Sequence, residues 1–305
     1  MANESIVNEA QPVWAPVNFL KIVLRGLGQV MFQGHAGTGL LFLIGIAFAS
    51  PLMMAGAVIG MIIGPVVAFL SGFDRQEIEE GIHGFNPSLV GLATVFFLKP
   101  EPLTWALLVV GCVAATFVTY LMRRYLKFPT YTLPFIVVTW LILIVAHGIA
   151  GTAIDVMPAP AEHTPVGFVT ELLDGVAEVM LGANVVTGIL FLAGIALSDR
   201  RHGVLAIVGV LVGTLLAIYH NDPAGAIHLG LFGFNALLAS IAVFLWRKSL
   251  LIPILAALIS VPLTEFFPSG LGIPGLTAPF VAAAWIVIAV GQLEALFLRD
   301  RPGAT

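Results

Sequence analysis

Two stretches of the chain decide its fold: residues 30–47, VMFQGHAGTGLLFLIGIA, and residues 179–196, VMLGANVVTGILFLAGIA. The second stretch begins 149 positions after the first, and ten of their 18 aligned residues are identical. Chance identity in so apolar a composition amounts to about two or three positions. The match therefore predicts that the chain consists of two related halves.

Two further blocks recur in the same order. The shift of 149 aligns Gly81 with Gly230, Gly84 with Gly233, Phe85 with Phe234, Asn86 with Asn235 and Leu89 with Leu238. A shift of 145 aligns residues 129–140 with residues 274–285, including two prolines, a threonine, a phenylalanine and a tryptophan. Three blocks in one order indicate a repeat whose second copy is four residues shorter in one loop.

The composition is that of a membrane protein. Of 305 residues, 59% are apolar and 10% are charged, whereas a soluble domain carries about 25% charged residues. No Asp, Glu, Lys or Arg occurs in the 48 residues from 26 to 73. A membrane helix needs about 20 apolar residues, so this run holds two spans. We predict an all-α polytopic membrane protein, and the net charge of −4 gives no reason to expect nucleic-acid binding.

The repeat divides the chain into an N-terminal lead (1–23), a first repeat (24–154), a linker (155–170), a second repeat (171–298) and a tail (299–305). The lead has acids and prolines and no basic flank before a short apolar core, so we do not expect a secretory signal. Five spans in each half fit the length. An odd number of spans makes the halves inverted repeats, with a pore on the pseudo-twofold axis.

Two segments in each half are predicted to be broken or too short to cross. In the first half these are residues 85–98, which open with Asn86-Pro87, and residues 129–135, which contain two prolines. Backbone groups freed by such breaks survive in a membrane only where they line a cavity or pack on protein. Breaks at matching places in both halves therefore indicate the transport site.

Thr132 and Thr277 each lie two residues before a proline, at matching positions. Helix capping alone explains a threonine in this place. A pair related by the pseudo-twofold axis would also meet at the centre of the bilayer, and both roles can hold together.

Gln29 and Glu178 also match, and each lies at the start of a long apolar run. They are either interfacial residues at helix ends or the polar groups of two mouths, since buried acids in membranes usually mark pathways. The pairs Phe85–Leu89 and Phe234–Leu238 have the i,i+4 spacing of core packing, but a tight turn before each would let the ring face a lumen. We expect Asn86 and Asn235 to hold those turns.

No catalytic constellation is evident in the sequence. The histidines show no metal-ligand spacing, and there is no phosphate-binding loop and no Ser-His-Asp or Cys-His set. Cys112 is the single cysteine. We expect neither an enzyme nor a cofactor.

The twin proline blocks, FPTYTLPF at 128–135 and IPGLTAPF at 273–280, resemble the doubled Leu-Pro-x-x-Thr-x-Pro-Phe signature of urea transporters. Phe128 and Ile273 replace the leading leucine. GLGQV at 26–30 and GFN at 84–86 also resemble family motifs, and the resemblance covers residues 24–288. The short, compact chain suggests a bacterial member in the inner membrane.

The resemblance implies five transmembrane helices and one re-entrant half-helix in each half, and a homotrimer with one pore in each protomer. Urea would pass in single file without ion coupling. Gln29 and Glu178 would be the polar contacts at the mouths, and Thr132 and Thr277 would meet urea at the centre. The mouths would be walled by Val30, Phe32, Phe85 and Leu89 on one side and by Val179, Leu181, Phe234 and Leu238 on the other.

Two alternatives stay open. One is a channel for another small neutral solute such as ammonia, water or a short amide. Asn86-Pro87-Ser88 loosely resembles an aquaporin box, but Asn235-Ala236-Leu237 does not. The other is an ion-coupled transporter, for which Glu178 alone is thin support.

Overall fold

A computed structural model describes residues 15–150, 165–268 and 272–299, and all regular elements within these ranges are helical. The start of the predicted lead (1–14), the linker up to residue 164 and the tail from residue 300 lie outside the described residues. The helices are α1 (Pro16–Gln29), α2 (Ala36–Ala49), α3 (Pro51–Leu70), α4 (Arg75–Glu79), α5 (Phe85–Phe97), α6 (Pro102–Tyr125), α7 (Leu133–Ala150), α8 (Pro165–Ala177), α9 (Val185–Ser198), α10 (Arg200–His220), α11 (Ala224–His228), α12 (Gly233–Trp246), α13 (Leu251–Glu265) and α14 (Ala278–Arg299). A single 3₁₀ turn, Glu178–Met180, lies between α8 and α9.

The seven helices α1–α7 of the first half correspond, in order along the chain, to the seven helices α8–α14 of the second half. The five-residue helices α4 and α11 precede the short helices α5 and α12 at matching places. Four non-glycine residues with left-handed backbone also match in pairs: Phe32 (φ 64°) with Leu181 (φ 57°), and Tyr131 (φ 46°) with Leu276 (φ 49°). This conformation strains a residue that has a Cβ and concentrates at functional sites.

Several helices are long and apolar enough for a membrane. Among the described residues, α3, α6, α10 and α14 can each cross alone, and α8 with α9 adds a fifth span if this pair, bent by 73°, counts as one. Helices α2 and α9, with 14 residues each, are about 21 Å long, less than the hydrocarbon core of about 30 Å. The chain is a multi-pass membrane protein, and the count of five spans per half stays a prediction.

Both predicted breaks occur. Helix α5 has only 13 residues, and its residues from Phe85 to Val95 are all buried. In the proline blocks the helix begins only at Leu133 in the first half and at Ala278 in the second. Pro134 thus lies in the first turn of α7, where the missing N–H removes no helical hydrogen bond.

The halves meet along α2 and α9, through contacts that are made twice with the roles exchanged. The hydroxyl of Thr38 donates to the Gly194 carbonyl (2.7 Å), and that of Thr187 donates to the Gly45 carbonyl (2.8 Å). The rings of Phe42 in α2 and Phe191 in α9 contact each other, with centroids 4.9 Å apart. A Cβ at Gly45 would lie 2.7 Å from the Phe191 ring, so the glycines permit the rings to approach.

Candidate functional site

Thr132 and Thr277 meet in the protein interior, with their hydroxyl oxygens 2.7 Å apart. They are 2% and 3% exposed. The Thr132 carbonyl accepts from the Ile136 N–H (3.0 Å) and the Thr277 carbonyl from the Val281 N–H (3.2 Å), so both residues begin helices. The side chains bind each other, and within the described ranges neither hydroxyl caps its own helix.

This contact leaves unused hydrogen-bonding capacity at the point where the two threonines meet, which we call the centre. Two hydroxyls contain two O–H donors and four lone pairs, of which their mutual bond uses one each. The first turns of α7 and α14 also converge here, and the N-terminus of a helix carries partial positive charge. The centre therefore combines free oxygen acceptors with a potential that disfavours cations.

Asn86 braces the proline break of the first half. Its Oδ1 accepts from the Phe135 N–H (3.2 Å), and its Nδ2 donates to Thr119 Oγ1 (3.0 Å) and lies 3.5 Å from the Tyr131 carbonyl. The second half repeats this arrangement with Asn235, Phe280, Thr264 and Leu276. The sequence predicts a role in the turn that opens α5 and does not reveal these partners across the fold. The twinning of the asparagines is the signal that could have found them.

Two tryptophans tie each proline block to the opposite half. Trp140 Nε1 donates to the Pro274 carbonyl, and Trp285 Nε1 donates to the Pro129 carbonyl, both at 2.8 Å. The strained loop before each of the helices α7 and α14 is thereby held by its own asparagine and by a tryptophan of the other half.

Gln29 lies at the end of α1, where its Nε2 donates to the Glu80 carbonyl (3.0 Å). This bond uses one of the two amide N–H donors and leaves the amide oxygen as an acceptor. The Phe32 ring is edge-on to the rings of Tyr131 (5.7 Å) and Phe280 (6.1 Å). An aromatic cluster that the sequence did not predict thus stands beside the first predicted mouth.

Glu178, Leu181 and Phe234 line one cavity of about 700 Å³. The Ala183 N–H donates to the Glu178 carboxylate. Further lining residues come from elements not assigned to this mouth, among them Phe97 at the end of α5 and Glu265 at the end of α13. Sequence reasoning missed these residues because they approach only through packing.

The remaining wall candidates divide between the core and its edge. The buried ones, Val30, Val179, Leu89 and Leu238, are at most 3% exposed and pack in the hydrophobic core. Phe85 is 9% exposed and opens α5.

His220, Asp222 and Glu265 form a further cluster beside the cavity, with side-chain oxygen and nitrogen atoms within 4.8 Å of one another. His220 Nδ1 and Glu265 Oε1 are 2.6 Å apart. Burial and the adjacent Glu265 carboxyl raise the pKa of Asp222 above its ordinary value. Histidine spacing could not reveal this group, because Glu265 is 45 residues from His220.

Comparison with known proteins places these features in a family context. A family model described as urea transporter matches residues 20–292. Urea transporter 1 of Rattus norvegicus is 30% identical over 243 residues, which cover 74% of this chain and 63% of that protein. Urea transporter 1 of Ovis aries is 26% identical over 300 residues, covering 89% of this chain and 77% of that protein. The chain therefore spans less than two thirds of the rat relative.

Proposed function

This chain belongs to the urea transporter family, and we propose that it conducts urea passively across the membrane through a narrow slot. The single observation that carries the proposal is the Thr132–Thr277 contact between the two proline breaks. It concentrates oxygen acceptors in the interior, where a dehydrated solute has few other partners.

The chemistry of urea suits this site. The molecule is planar, with four N–H donors and one acceptor oxygen, and removing its water without replacement costs several kcal/mol. Threonine hydroxyls and the carbonyls of the broken segments replace that water along the N–H edges. Cations meet the positive ends of α7 and α14 instead and find no compensating charge there. Passage requires weak binding, so affinity should be low.

The reciprocal contacts support the proposal that the halves are inverted repeats. Bonds exchanged between Thr38, Thr187 and their partner glycines, and again by the two tryptophans, are the pattern that a twofold relation produces. We propose ten spans, with α5 and α12 as the re-entrant half-helices and the pore on the axis.

Helix α5 also supports opposite sides for the two mouths. It begins against α1 of its own half, where a Cβ at Gly26 would lie 3.0 Å from Gly84 Cα. It ends about 20 Å away, at Phe97, in the cavity that also holds Glu178. Helix α12 runs towards the side of the first mouth. Phe244, near the end of α12, contacts His202, and His202 is hydrogen-bonded to Gln33.

We assign the mouths as the family resemblance implies. Gln29 and Glu178 present oxygen acceptors, Phe85 and Phe234 present flat faces, and Phe32 and Leu181 make the two mouths unequal. Val30, Leu89, Val179 and Leu238, which are buried, complete these walls.

We also propose a homotrimer with one pore in each protomer, located in a bacterial inner membrane. The resemblance is the support for the trimer, and the compact chain is the support for the location. Native mass spectrometry of the purified protein tests the first, and fractionation of the source cells tests the second.

The function is tested by uptake of labelled urea into proteoliposomes with no ion gradient. We expect uptake that stops when urea reaches equal concentrations on both sides. Faster flux of ammonia, water or acetamide than of urea would favour another small-solute channel. Uptake that required a sodium or proton gradient would contradict passive conduction.

A further inference from the structure

The cavity at the second mouth has a lining suited to a cation. Its acidic lining residues are Glu178 and Glu265, and no Lys or Arg is present among the described residues that line it. Four phenylalanines also line this cavity: Phe96, Phe97, Phe234 and Phe267. Carboxylates and aromatic faces in one concave site are the groups that recognise organic cations.

More carboxyl groups stand behind this lining. Glu171, Asp174 and Glu178 are spaced i, i+3 and i+7 along α8 and the 3₁₀ turn, which puts them on one helical face. Asp222 adds a fifth carboxyl group beside Glu265. The second mouth thus holds five acidic side chains, of which Glu171 pairs with His228 and Glu265 with His220.

The first half has no such set. Its residues at the five matching positions are Ile22, Arg25, Gln29, Phe73 and Tyr120. Four acids of the first half, Asp74, Glu77, Glu79 and Glu80, lie on or beside α4, where Glu79 pairs with Arg75 and Glu77 with Arg123, and Glu101 precedes α6. The two mouths therefore differ in the residues at these five positions, although the order of the helices repeats.

We propose that the second-mouth cavity binds planar cations of the guanidinium class, and that such a cation blocks the slot from this side alone. Guanidinium has the trigonal, planar shape of urea, with N–H donors on all three arms and no acceptor. It forms paired hydrogen bonds with carboxylates and stacks on aromatic faces. The cavity extends towards the Thr132–Thr277 contact, since Leu276 and Pro279 of the second proline block also line it. A cation bound there would therefore obstruct the path of urea to the centre.

The same cation cannot follow urea through the centre or enter from the first mouth. At the centre it meets the N-termini of α7 and α14, which repel positive charge. Near the first mouth stands Arg25, whose guanidinium donates to the Glu79 carbonyl (2.9 Å). The blocking step rests on the proposed urea conduction, whereas binding in the cavity does not.

The test is urea flux in proteoliposomes with millimolar guanidinium chloride, against sodium chloride at equal ionic strength. Randomly inserted protein presents the second mouth outward in only part of the population. External guanidinium should therefore inhibit to a partial plateau, and guanidinium on both sides should inhibit fully. Complete inhibition from outside alone would overturn the one-sided block.

Variants locate the site. Glu265→Gln and Glu178→Gln should each raise the guanidinium concentration for half-inhibition about tenfold, measured against each variant's own flux, because a charged hydrogen bond is lost. Glu294→Gln is the matched control: this glutamate is exposed, pairs with Arg247 and is remote from the cavity lining. If the guanidinium concentration for half-inhibition were the same in all three variants and in the parent protein, the assignment of the site would be overturned.

A binding measurement separates this proposal from the proposed function. Saturation-transfer NMR on the detergent-solubilised protein reports guanidinium binding without any flux, and Phe267→Leu provides a second variant that should weaken it. Binding lost in Glu265→Gln, in a protein without urea flux, would support the cation site and contradict urea conduction. Urea flux without guanidinium binding or inhibition would overturn the cation site and leave conduction intact.

Discussion

The hydroxyl oxygens of Thr132 and Thr277 lie 2.7 Å apart, although 145 residues separate them in the chain. Each hydroxyl belongs to the residue immediately before a helix, at the same place in its half. In the proposed inverted repeat, a group that contacts its own counterpart lies on the axis that relates the two halves. Any solute that follows this axis must pass the pair.

Thr132→Val and Thr277→Val should each slow urea flux. Valine keeps the shape and removes the hydroxyl, and loss of a partner for a buried polar group costs about 1–3 kcal/mol. If this cost falls on the highest barrier, flux drops about five- to 150-fold. The measurement is flux per folded protein, and the two variants should lose similar amounts. Normal flux in both would leave the threonines with a structural role only.

Thr139→Val is the matched control on the same helix. Thr139 is buried in α7, and its hydroxyl has no hydrogen-bond partner among the described residues. Removing an unpaired buried hydroxyl should leave flux unchanged and raise stability by about 1 kcal/mol. Thermal unfolding in detergent measures the stability, and a flux loss as large as that of Thr132→Val would mean that any change in α7 impairs conduction.

Gln29→Ala should reduce urea flux while the assembly stays intact. The variant removes the amide oxygen that the contact with Glu80 leaves as an acceptor. Stopped-flow light scattering measures the flux, and chromatography checks the assembly. Unchanged flux would return Gln29 to the role of an interfacial residue at a helix end.

Glu178→Gln should retain more urea flux than Glu178→Leu. Glutamine keeps an acceptor oxygen in the cavity, whereas leucine leaves the Ala183 N–H and the solute without one. The same flux assay ranks the two variants. The opposite order would indicate that the charge of Glu178, and not its oxygen, is what conduction requires.

Asn86→Ala and Asn235→Ala should each destabilise the fold by about 1–3 kcal/mol. Each substitution leaves a buried N–H, of Phe135 or Phe280, without its acceptor and releases the strained loop before it. Thr119→Val is the milder control, because it removes only one of the partners of Asn86. A midpoint of thermal unfolding equal to that of the parent would contradict the bracing role.

Lys99 and Lys248 test the inverted arrangement, because they match in the two halves and both are exposed. In a Cys112→Ala background, which removes the single buried cysteine, Lys99→Cys and Lys248→Cys should react with a membrane-impermeant maleimide from opposite sides. Inverted repeats put matching positions on opposite faces of the membrane. Labelling of both from the same side would indicate parallel halves.

The sequence alone determined the features that depend on local pattern. Apolar runs without charge predicted the membrane helices, and paired prolines predicted the breaks before Leu133 and Ala278, because proline lacks the N–H that a residue inside a helix donates. The repeat by itself pairs Thr132 with Thr277, since related halves carry equivalent residues to equivalent places.

Tertiary structure alone decided which distant side chains share a space. No local pattern links Asn86 to the Phe135 N–H, or brings Phe97, Glu178 and Glu265 to one cavity. Those contacts depend on how α5, α8 and α13 pack, and packing is settled by the shapes of many side chains together and not by the neighbours of any one residue. Glu178 and Glu265 illustrate both levels, because both acids stand in the sequence but only the fold brings them to one cavity.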